Sequence, residues 1–164
     1  MKKVLALILV LAFSLSACSF GGTKIAEKPQ HDGMDYDVIV VGGEPEGVAA
    51  AVSAARNGMK TLLLSEDGAL GGLMTLGELN FIDMCEGRDG TSLVEGIFRE
   101  FYDMVGGSAF DITEAKNAFL ALCENEDNLT LRTESHLAAP IMDGDELLGV
   151  KMRETDGEKS YYAK

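Results

Sequence analysis

The stretch Asp37-Val-Ile-Val-Val-Gly-Gly-Glu-Pro-Glu-Gly47, followed by an alanine-rich segment from Val48 to Arg56, decides the fold. It predicts a buried strand, a glycine turn and the first turns of a helix. Such a turn aims free backbone N–H groups and the positive end of the helix dipole at one point, which suits a pyrophosphate. The residues of this turn that we predict to bind a dinucleotide are Gly42, Gly43, Pro45, Glu46 and Gly47.

A second strand follows at the spacing of a βαβ unit. Gly58 is placed to end the helix, and an apolar run over residues 60–64 leads to Ser65 and Glu66. In dinucleotide-binding folds, an acidic residue at the end of this strand binds the adenosine ribose. Ser65 occupies the usual place, but we favour Glu66 because only Glu66 carries a carboxylate.

The turn departs from the pattern G-x-G-x-x-G at Glu44, which stands where the second glycine is expected. That glycine lets the backbone approach the pyrophosphate closely. A glutamate about 5 Å from a phosphate charge would cost on the order of 3 kcal/mol at an effective dielectric of about 20. We therefore expect the Glu44 side chain to point away from the ligand, or binding to be weak.

These residues resemble the FAD-dependent oxidoreductases that have a glutathione-reductase-like Rossmann domain, in the branch written G-G-x-P-x-G-V-A-A-A and then A-A-R-x-G. The likeness continues at Leu70, where Gly71 and Gly72 match a glycine doublet that runs beside the FAD. It covers residues 36–164. The resemblance implies FAD as the cofactor and an α/β fold, with a Rossmann-like parallel sheet, flanking helices and a C-terminal antiparallel β-meander.

Family members of this kind continue into a segment of the type A-T-G-D and then into a substrate domain, whereas this sequence ends at Lys164. The resemblance therefore implies the FAD-binding half of a flavin-dependent oxidoreductase, with a partial FAD-binding domain over residues 35–164. A partner chain that supplies the C-terminal half is a further expectation. An NAD-dependent dehydrogenase stays open as an alternative, and so does a non-catalytic dinucleotide-binding lipoprotein or the remnant of a truncated gene. No residue is assigned a catalytic role.

Residues 1–18 have the features of a bacterial lipoprotein signal peptide. Lys2 and Lys3 precede an apolar run over residues 4–13, which is too short to span a membrane comfortably. The sequence Leu15-Ser-Ala-Cys18 resembles a lipobox, in which Cys18 becomes the lipidated first residue. An ordinary signal peptide with an incidental cysteine is the alternative. We predict export, a membrane anchor at Cys18 and a flexible tether over residues 19–34.

The composition and the net charge of the chain limit the kinds of ligand and partner that we expect it to bind. The 164 residues are 46% hydrophobic and 25% charged, which is typical of one modest globular domain. The net charge of −13 argues against nucleic acid and leaves an unspecified small-molecule substrate. Two separated histidines predict no metal site, and the absence of a C-x-x-C pair disfavours disulfide reductase chemistry. Cys85 and Cys123 either form a disulfide or remain thiols.

The remaining segments predict a long loop, two helices and four strands. In the loop over residues 67–90, Asn80 and Asp83 either orient a substrate or make turn hydrogen bonds. Ser92 and Glu95 match a capping box, which predicts a helix that runs to about Val105. The other predicted elements are a helix from Asp111 or Thr113 to about Asn125, a strand over 129–133 that extends the parallel sheet, and meander strands over 136–142, 147–153 and 160–163.

Overall fold

The computed structural model describes residues 34–163. The strands of this part are β1 (Met34–Tyr36), β2 (Val38–Val41), β3 (Thr61–Leu64), β4 (Leu129–Arg132), β5 (His136–Asp143), β6 (Glu146–Glu154) and β7 (Gly157–Ala163). Its helices are α1 (Pro45–Arg56), α2 (Ile97–Met104) and α3 (Ile112–Glu124), with a short 3₁₀ helix at Gly72–Met74. The α/β fold class predicted from sequence is confirmed.

A parallel sheet with the order β2-β3-β4 forms the centre of this part of the chain. The register places Val38 beside Thr61, and Thr61 in turn beside Leu129. Every residue of β3 is buried, as expected for a strand with a neighbour on each side. Among residues 34–163, β2 pairs with β3 alone, and Val41 at its end is 46% exposed.

The two faces of the parallel sheet are covered by different layers. Successive side chains of a strand point to opposite faces, so Leu63 packs among the helices while Leu62 and Leu64 pack under the antiparallel sheet. The helical side of the core includes Val48, Val52, Phe101, Phe119 and Leu122. The other side includes Tyr36, Val150, Met152 and Tyr161.

The antiparallel sheet has the order β1-β7-β6-β5 and confirms the predicted meander. Its hairpins turn at Gly144 and Gly157, both of which have a positive φ. The sequence missed β1, which pairs in parallel with β7 and places Met34 beside Tyr161. Met34, the last residue of the predicted tether, thus belongs to a strand, and residues 19–33 of that prediction lie outside the described residues.

Helix α1 begins and ends where the sequence predicted. Pro45 stands at its first position, where a fixed φ suits the helix and no N–H is needed. After the last helical residue, Arg56, Gly58 adopts a φ of +81°, which glycine tolerates at this place.

Helix α2 begins four residues later than the capping box predicted, with Gly96 and not Ser92 as the residue before the helix. Ser92 forms an isolated bridge with Glu86, and its hydroxyl accepts a hydrogen bond from the Val94 N–H at 3.3 Å. Gly96, at a φ of +73°, then breaks the chain direction before Ile97. The prediction of a helix start at Ser92 was wrong. The serine hydroxyl accepts a hydrogen bond within a local turn, which competes with capping a helix.

Helix α3 confirms the predicted start at Asp111. The Asp111 carboxylate accepts hydrogen bonds from the N–H groups of Thr113 at 2.7 Å and Glu114 at 3.2 Å. These bonds lower the pKa of Asp111 from its ordinary value. The cap fixes the end of α3 that leads towards Phe119, a residue in contact with the glycine doublet.

Candidate dinucleotide-binding site

The glycine turn is fixed to the end of β3. The Gly42 N–H donates a 2.8 Å hydrogen bond to the carbonyl of Leu64, and Gly42 has a φ of +130°. In the first turn of α1, a Cβ atom on Gly47 would overlap the Gly42 carbonyl oxygen. The turn and the start of α1 thus approach each other closely, and glycine is needed at both positions.

Gly43 joins the turn to the glycine doublet. The Gly71 N–H donates a 2.8 Å hydrogen bond to the Gly43 carbonyl. Gly43 is buried, and a Cβ atom there would overlap the hydroxyl of Ser65. The structure therefore brings together two glycine segments that the sequence analysis assigned to the ligand separately.

The doublet itself has a conformation that favours glycine. Gly71 has a φ of +95° and Gly72 a φ of +42°, and a Cβ on Gly71 would overlap the Phe119 ring. The hydroxyl of Thr75, a buried residue, donates a 2.7 Å hydrogen bond to the Leu70 carbonyl. The sequence analysis missed Thr75, although a hydroxyl residue shortly after two glycines is a typical turn signal.

The start of α1 leaves backbone donors available to a ligand. Glu44 is the residue before the helix, and its side chain makes no capping hydrogen bond there. Its carbonyl accepts the Val48 N–H at 2.9 Å. Pro45 has no N–H, so the donors of the first turn belong to Glu46 and Gly47. Such donors, together with the helix dipole, favour an anion.

The Glu44 side chain lies across the turn against the doublet. Its carboxylate is so close to Gly72 that a Cβ atom on that glycine would overlap it. The expected alternatives were a side chain that points away from the ligand or weak binding. The carboxylate instead lies against Gly72, one of the two glycines of the doublet that was predicted to run beside the ligand.

Ser65 and Glu66 point in opposite directions. Ser65 is 2% exposed and faces Gly43, and within residues 34–163 its hydroxyl has no hydrogen-bond partner. The Glu66 side chain is 73% exposed, and its Oε1 lies 2.7 Å from Nδ1 of His136. Both assignments stay predictions, but these directions favour Ser65 over Glu66 as the ribose contact.

The other residues singled out from sequence lie elsewhere. Asn80 donates from its side chain to the Phe110 carbonyl at 2.9 Å, and its own carbonyl accepts the Phe110 N–H at 3.2 Å. Asn80 thus holds the loop to the start of α3, whereas Asp83 is exposed. Cys85 is exposed and Cys123 buried, and both are free thiols. Burial raises the pKa of Cys123 to about 12.

A small apolar cavity of about 60 Å³ lies beside the start of α1. The residues that line it are Pro45, Val48, Ala49, Met74, Ile97, Phe98, Phe101, Phe119 and Leu122. The cavity is thus bounded by all three helices and by the 3₁₀ helix that follows the doublet.

The arrangement of strand, glycine turn, helix and doublet agrees with a sequence profile. The profile of the FAD dependent oxidoreductase family matches residues 37–164. This chain belongs to the FAD dependent oxidoreductase family. Membership makes FAD the indicated cofactor, so the prediction of FAD is confirmed and the family favours it over NAD.

Individual relatives agree with the family assignment. The chain is 44% identical over 59 residues to the pseudooxynicotine dehydrogenase of a Pseudomonas species, covering 36% of this chain and 12% of that enzyme. It is 29% identical over 141 residues to the tRNA uridine 5-carboxymethylaminomethyl modification enzyme MnmG of Aliarcobacter butzleri, covering 75% of this chain and 23% of MnmG. The chain therefore spans less than a quarter of the length of these relatives.

A solved structure shows the same fold. THI4 from Thermovibrio ammonificans superposes with a TM-score of 0.58 at 17% identity, over 100% of this chain and 63% of that chain. At this identity the likeness concerns the fold alone.

Proposed function

We propose that the glycine turn, the doublet and the start of α1 bind the pyrophosphate of FAD, within a flavin-dependent oxidoreductase that is exported and anchored through Cys18. The observation that carries the FAD site is the hydrogen bond from the Gly71 N–H to the Gly43 carbonyl. It places the doublet beside the turn at the helix end where an anion is favoured.

The residues present fit the cofactor in three respects. Gly42 and Gly47 approach each other closely and carry no side chain, so the backbone of the turn can come near a phosphate at these two positions. The first turn of α1 offers the N–H groups of Glu46 and Gly47, since no side chain caps it. Ser65 adds a buried hydroxyl without a partner among the described residues, which a ribose hydroxyl would satisfy.

The protein's part in this function is binding and orientation. Bound FAD supplies the redox chemistry, which amino-acid side chains do not provide. The helix start stabilises the negative charge of the pyrophosphate, and the turn and doublet fix its position. The net charge of −13 favours a small-molecule substrate over a nucleic acid such as the tRNA in the name of MnmG.

Calorimetry with ligands that share parts of FAD tests this site. The full chain is titrated with FAD, with NAD and with FMN, which lacks the adenosine and the pyrophosphate. We expect FAD to bind most tightly, because only FAD offers both the pyrophosphate and the flavin. Tighter binding of NAD, or equal binding of FMN, would contradict the proposed site.

Export and lipidation are proposed from the sequence, since residues 1–33 lie outside the described part. The support is the charged start, the apolar run over 4–13 and the lipobox that ends at Cys18. Within residues 34–163, no helix is long and apolar enough to cross a membrane. We expect Cys18→Ala to abolish fatty-acid labelling in a bacterial host, while the matched variant Cys85→Ala stays labelled. Labelled Cys18→Ala protein would refute the anchor.

The alternative function is a non-catalytic binding lipoprotein. The observation that bears on the choice between this module and the enzyme is the edge of β2, which has no strand partner within residues 34–163. An open edge of this kind can accept a further strand. We propose that a strand from outside these residues, for example from a partner chain with the C-terminal half, covers it and completes the enzyme. FAD binding without dye-linked turnover, even after such a partner is added, would support the binding module.

A further inference from the structure

We propose that the apolar cavity beside the start of α1 binds a small apolar molecule of the size of a diatomic gas, and that dioxygen is its natural occupant. The cavity has a volume of about 60 Å³, and it is bordered by α1, α2, α3 and the 3₁₀ helix. The choice of dioxygen rests on the proposed FAD function, whereas the binding of an apolar molecule in the cavity does not.

The chemistry of the lining excludes a polar occupant. The side chains that border the cavity belong to proline, valine, alanine, methionine, isoleucine, phenylalanine and leucine, and none of them carries a hydrogen-bond donor. A buried water needs about two to four polar partners. A water in this cavity would lose hydrogen bonds, so the lining favours a molecule that makes none.

The size of the cavity excludes larger apolar ligands. A cavity needs about 10–15 Å³ to hold one water-sized molecule, whereas an apolar cavity of about 150 Å³ binds benzene. The volume of about 60 Å³ lies between these values and suits a single xenon atom or a diatomic molecule. Such an occupant gains dispersion contacts with lining atoms that otherwise face a void.

The helices around the cavity are held together at several points, so the space is part of the packed fold. The Arg56 guanidinium donates to both carboxylate oxygens of Glu100 and so joins α1 to α2. The rings of Phe101 and Phe119 stack with their centroids 4.3 Å apart and join α2 to α3. Phe119 also lies against Gly71 of the doublet. Closing the cavity would require these contacts to shift together.

The more exposed side of the cavity lies next to the candidate FAD site. Val48 and Phe101 are buried, whereas Pro45, Ala49 and Met74 are partly exposed. Pro45 is the first residue of α1, and Met74 belongs to the 3₁₀ helix that follows the doublet. Dioxygen is apolar and diatomic, and flavins carry out O₂ chemistry. It therefore combines the required size and polarity with a reaction of the proposed cofactor.

The test compares two valines in the full chain without FAD. Val48 lines the cavity and Val52 does not, although both are 0% exposed. The valine methyl groups are labelled with ¹³C, and their NMR signals are recorded under xenon, under dioxygen and under helium as the control for pressure. Because no FAD is present, the result does not depend on the FAD site, which the calorimetric titration tests separately.

We expect xenon to shift the methyl signals of Val48 and to leave those of Val52 where helium leaves them. Dioxygen is paramagnetic, so it should speed the relaxation of the Val48 methyl groups several times more than that of the Val52 methyl groups. Val48→Ile should weaken xenon binding about tenfold, since the added methyl group takes up space that xenon needs. The matched variant Val150→Ile, in the core under the antiparallel sheet, should leave xenon binding unchanged.

Two results would overturn the inference. If xenon shifts the methyl signals of Val48 and Val52 equally, or shifts neither, the cavity binds no apolar molecule. If xenon binds but dioxygen relaxes both valines equally, the assignment to dioxygen is wrong. Failure of FAD to bind in the calorimetric titration is a separate result, which would overturn the proposed function and leave the xenon measurement as it stands.

Discussion

Gly71 and Gly43 are joined by a 2.8 Å hydrogen bond, from the N–H of the first to the carbonyl of the second. This bond connects a loop after β3 to the turn after β2. It requires the Gly71 backbone to adopt a φ of +95° beside the ring of Phe119. The geometry of the candidate site therefore depends on contacts with α3 as well as on the glycine turn.

The first prediction concerns the crowded position of Gly71. Gly71→Ala should lower the free energy of unfolding by about 1–3 kcal/mol more than Gly90→Ala, because the new Cβ overlaps the Phe119 ring. Gly90 is the matched control, since it has a φ of +78° with open space around it. Urea unfolding of both variants measures the difference. Equal losses would show that the ring moves aside at no cost.

The second prediction concerns the small cavity. Val48 lines it and Val52, one turn later in α1, does not, although both residues are fully buried. Val48→Ile should stabilise the chain by about 0.8 kcal/mol, the value of one buried methylene group. Val52→Ile should destabilise it by about 1–3 kcal/mol through overpacking. Thermal unfolding compares the two, and the same sign of change for both variants would refute the cavity.

The third prediction uses the charge pair between α1 and α2. The Arg56 guanidinium donates to both carboxylate oxygens of Glu100, at 2.6 and 2.8 Å, and this holds the pKa of Glu100 below its ordinary 4.5. Because the lowered pKa belongs to the folded state, the stabilisation is present above pH 4.5 and is lost as the pH falls through the folded-state value.

Glu100→Gln should therefore destabilise the chain at neutral pH by about 0.5–1 kcal/mol, a range suited to a half-exposed but bidentate pair. The difference from the wild type should shrink below pH 4.5. Asp103→Asn in the same helix breaks only an exposed pair with Arg99 and serves as the control. If the difference in stability between Glu100→Gln and the wild type did not depend on pH, ionisation of Glu100 would not be its cause.

The fourth prediction separates Ser65 from Glu66. Ser65→Ala should weaken FAD binding by about 1 kcal/mol, the net value of one hydrogen bond, and leave FMN binding unchanged. Glu66→Gln should change FAD binding less, because its carboxylate is directed to His136. The reverse order of the two effects would restore Glu66 as the ribose contact.

The fifth prediction concerns the two free thiols. Cys85 is exposed, whereas burial raises the pKa of Cys123 to about 12. Since the thiolate is the reactive form, iodoacetamide should label Cys85 and spare Cys123 in the folded chain. Peptide mass spectrometry reads out both sites, with a denatured sample as the control. A Cys85–Cys123 disulfide in the purified chain would contradict the structure.

Local sequence patterns were enough to predict the elements that are determined by neighbouring residues. The glycine turn, the start of α1 at Pro45 and the cap at Asp111 were all predicted, because each depends on a few adjacent residues. The capping box at Ser92 failed because the serine hydroxyl accepts a hydrogen bond in a local turn, and the helix begins only after Gly96.

Features that depend on distant residues were not predictable in this way. No local pattern shows that Glu44 reaches Gly72, or that Glu66 meets His136 instead of a ligand. Both contacts arise from the packing of segments that are far apart in sequence. The doublet was predicted to lie beside the FAD only through the family resemblance, and no local pattern showed its hydrogen bond to the glycine turn.

The pairing of β1 with β7 has a consequence for the order of folding. Met34 lies beside Tyr161. One of the first described residues to be synthesised can therefore form its strand pairing only after one of the last has been synthesised. Contacts with so large a sequence separation form slowly, because a long loop must close before they contribute. The segment at Met34 is therefore secured only after β7 has been synthesised, so β1 is one of the last described strands to find its partner.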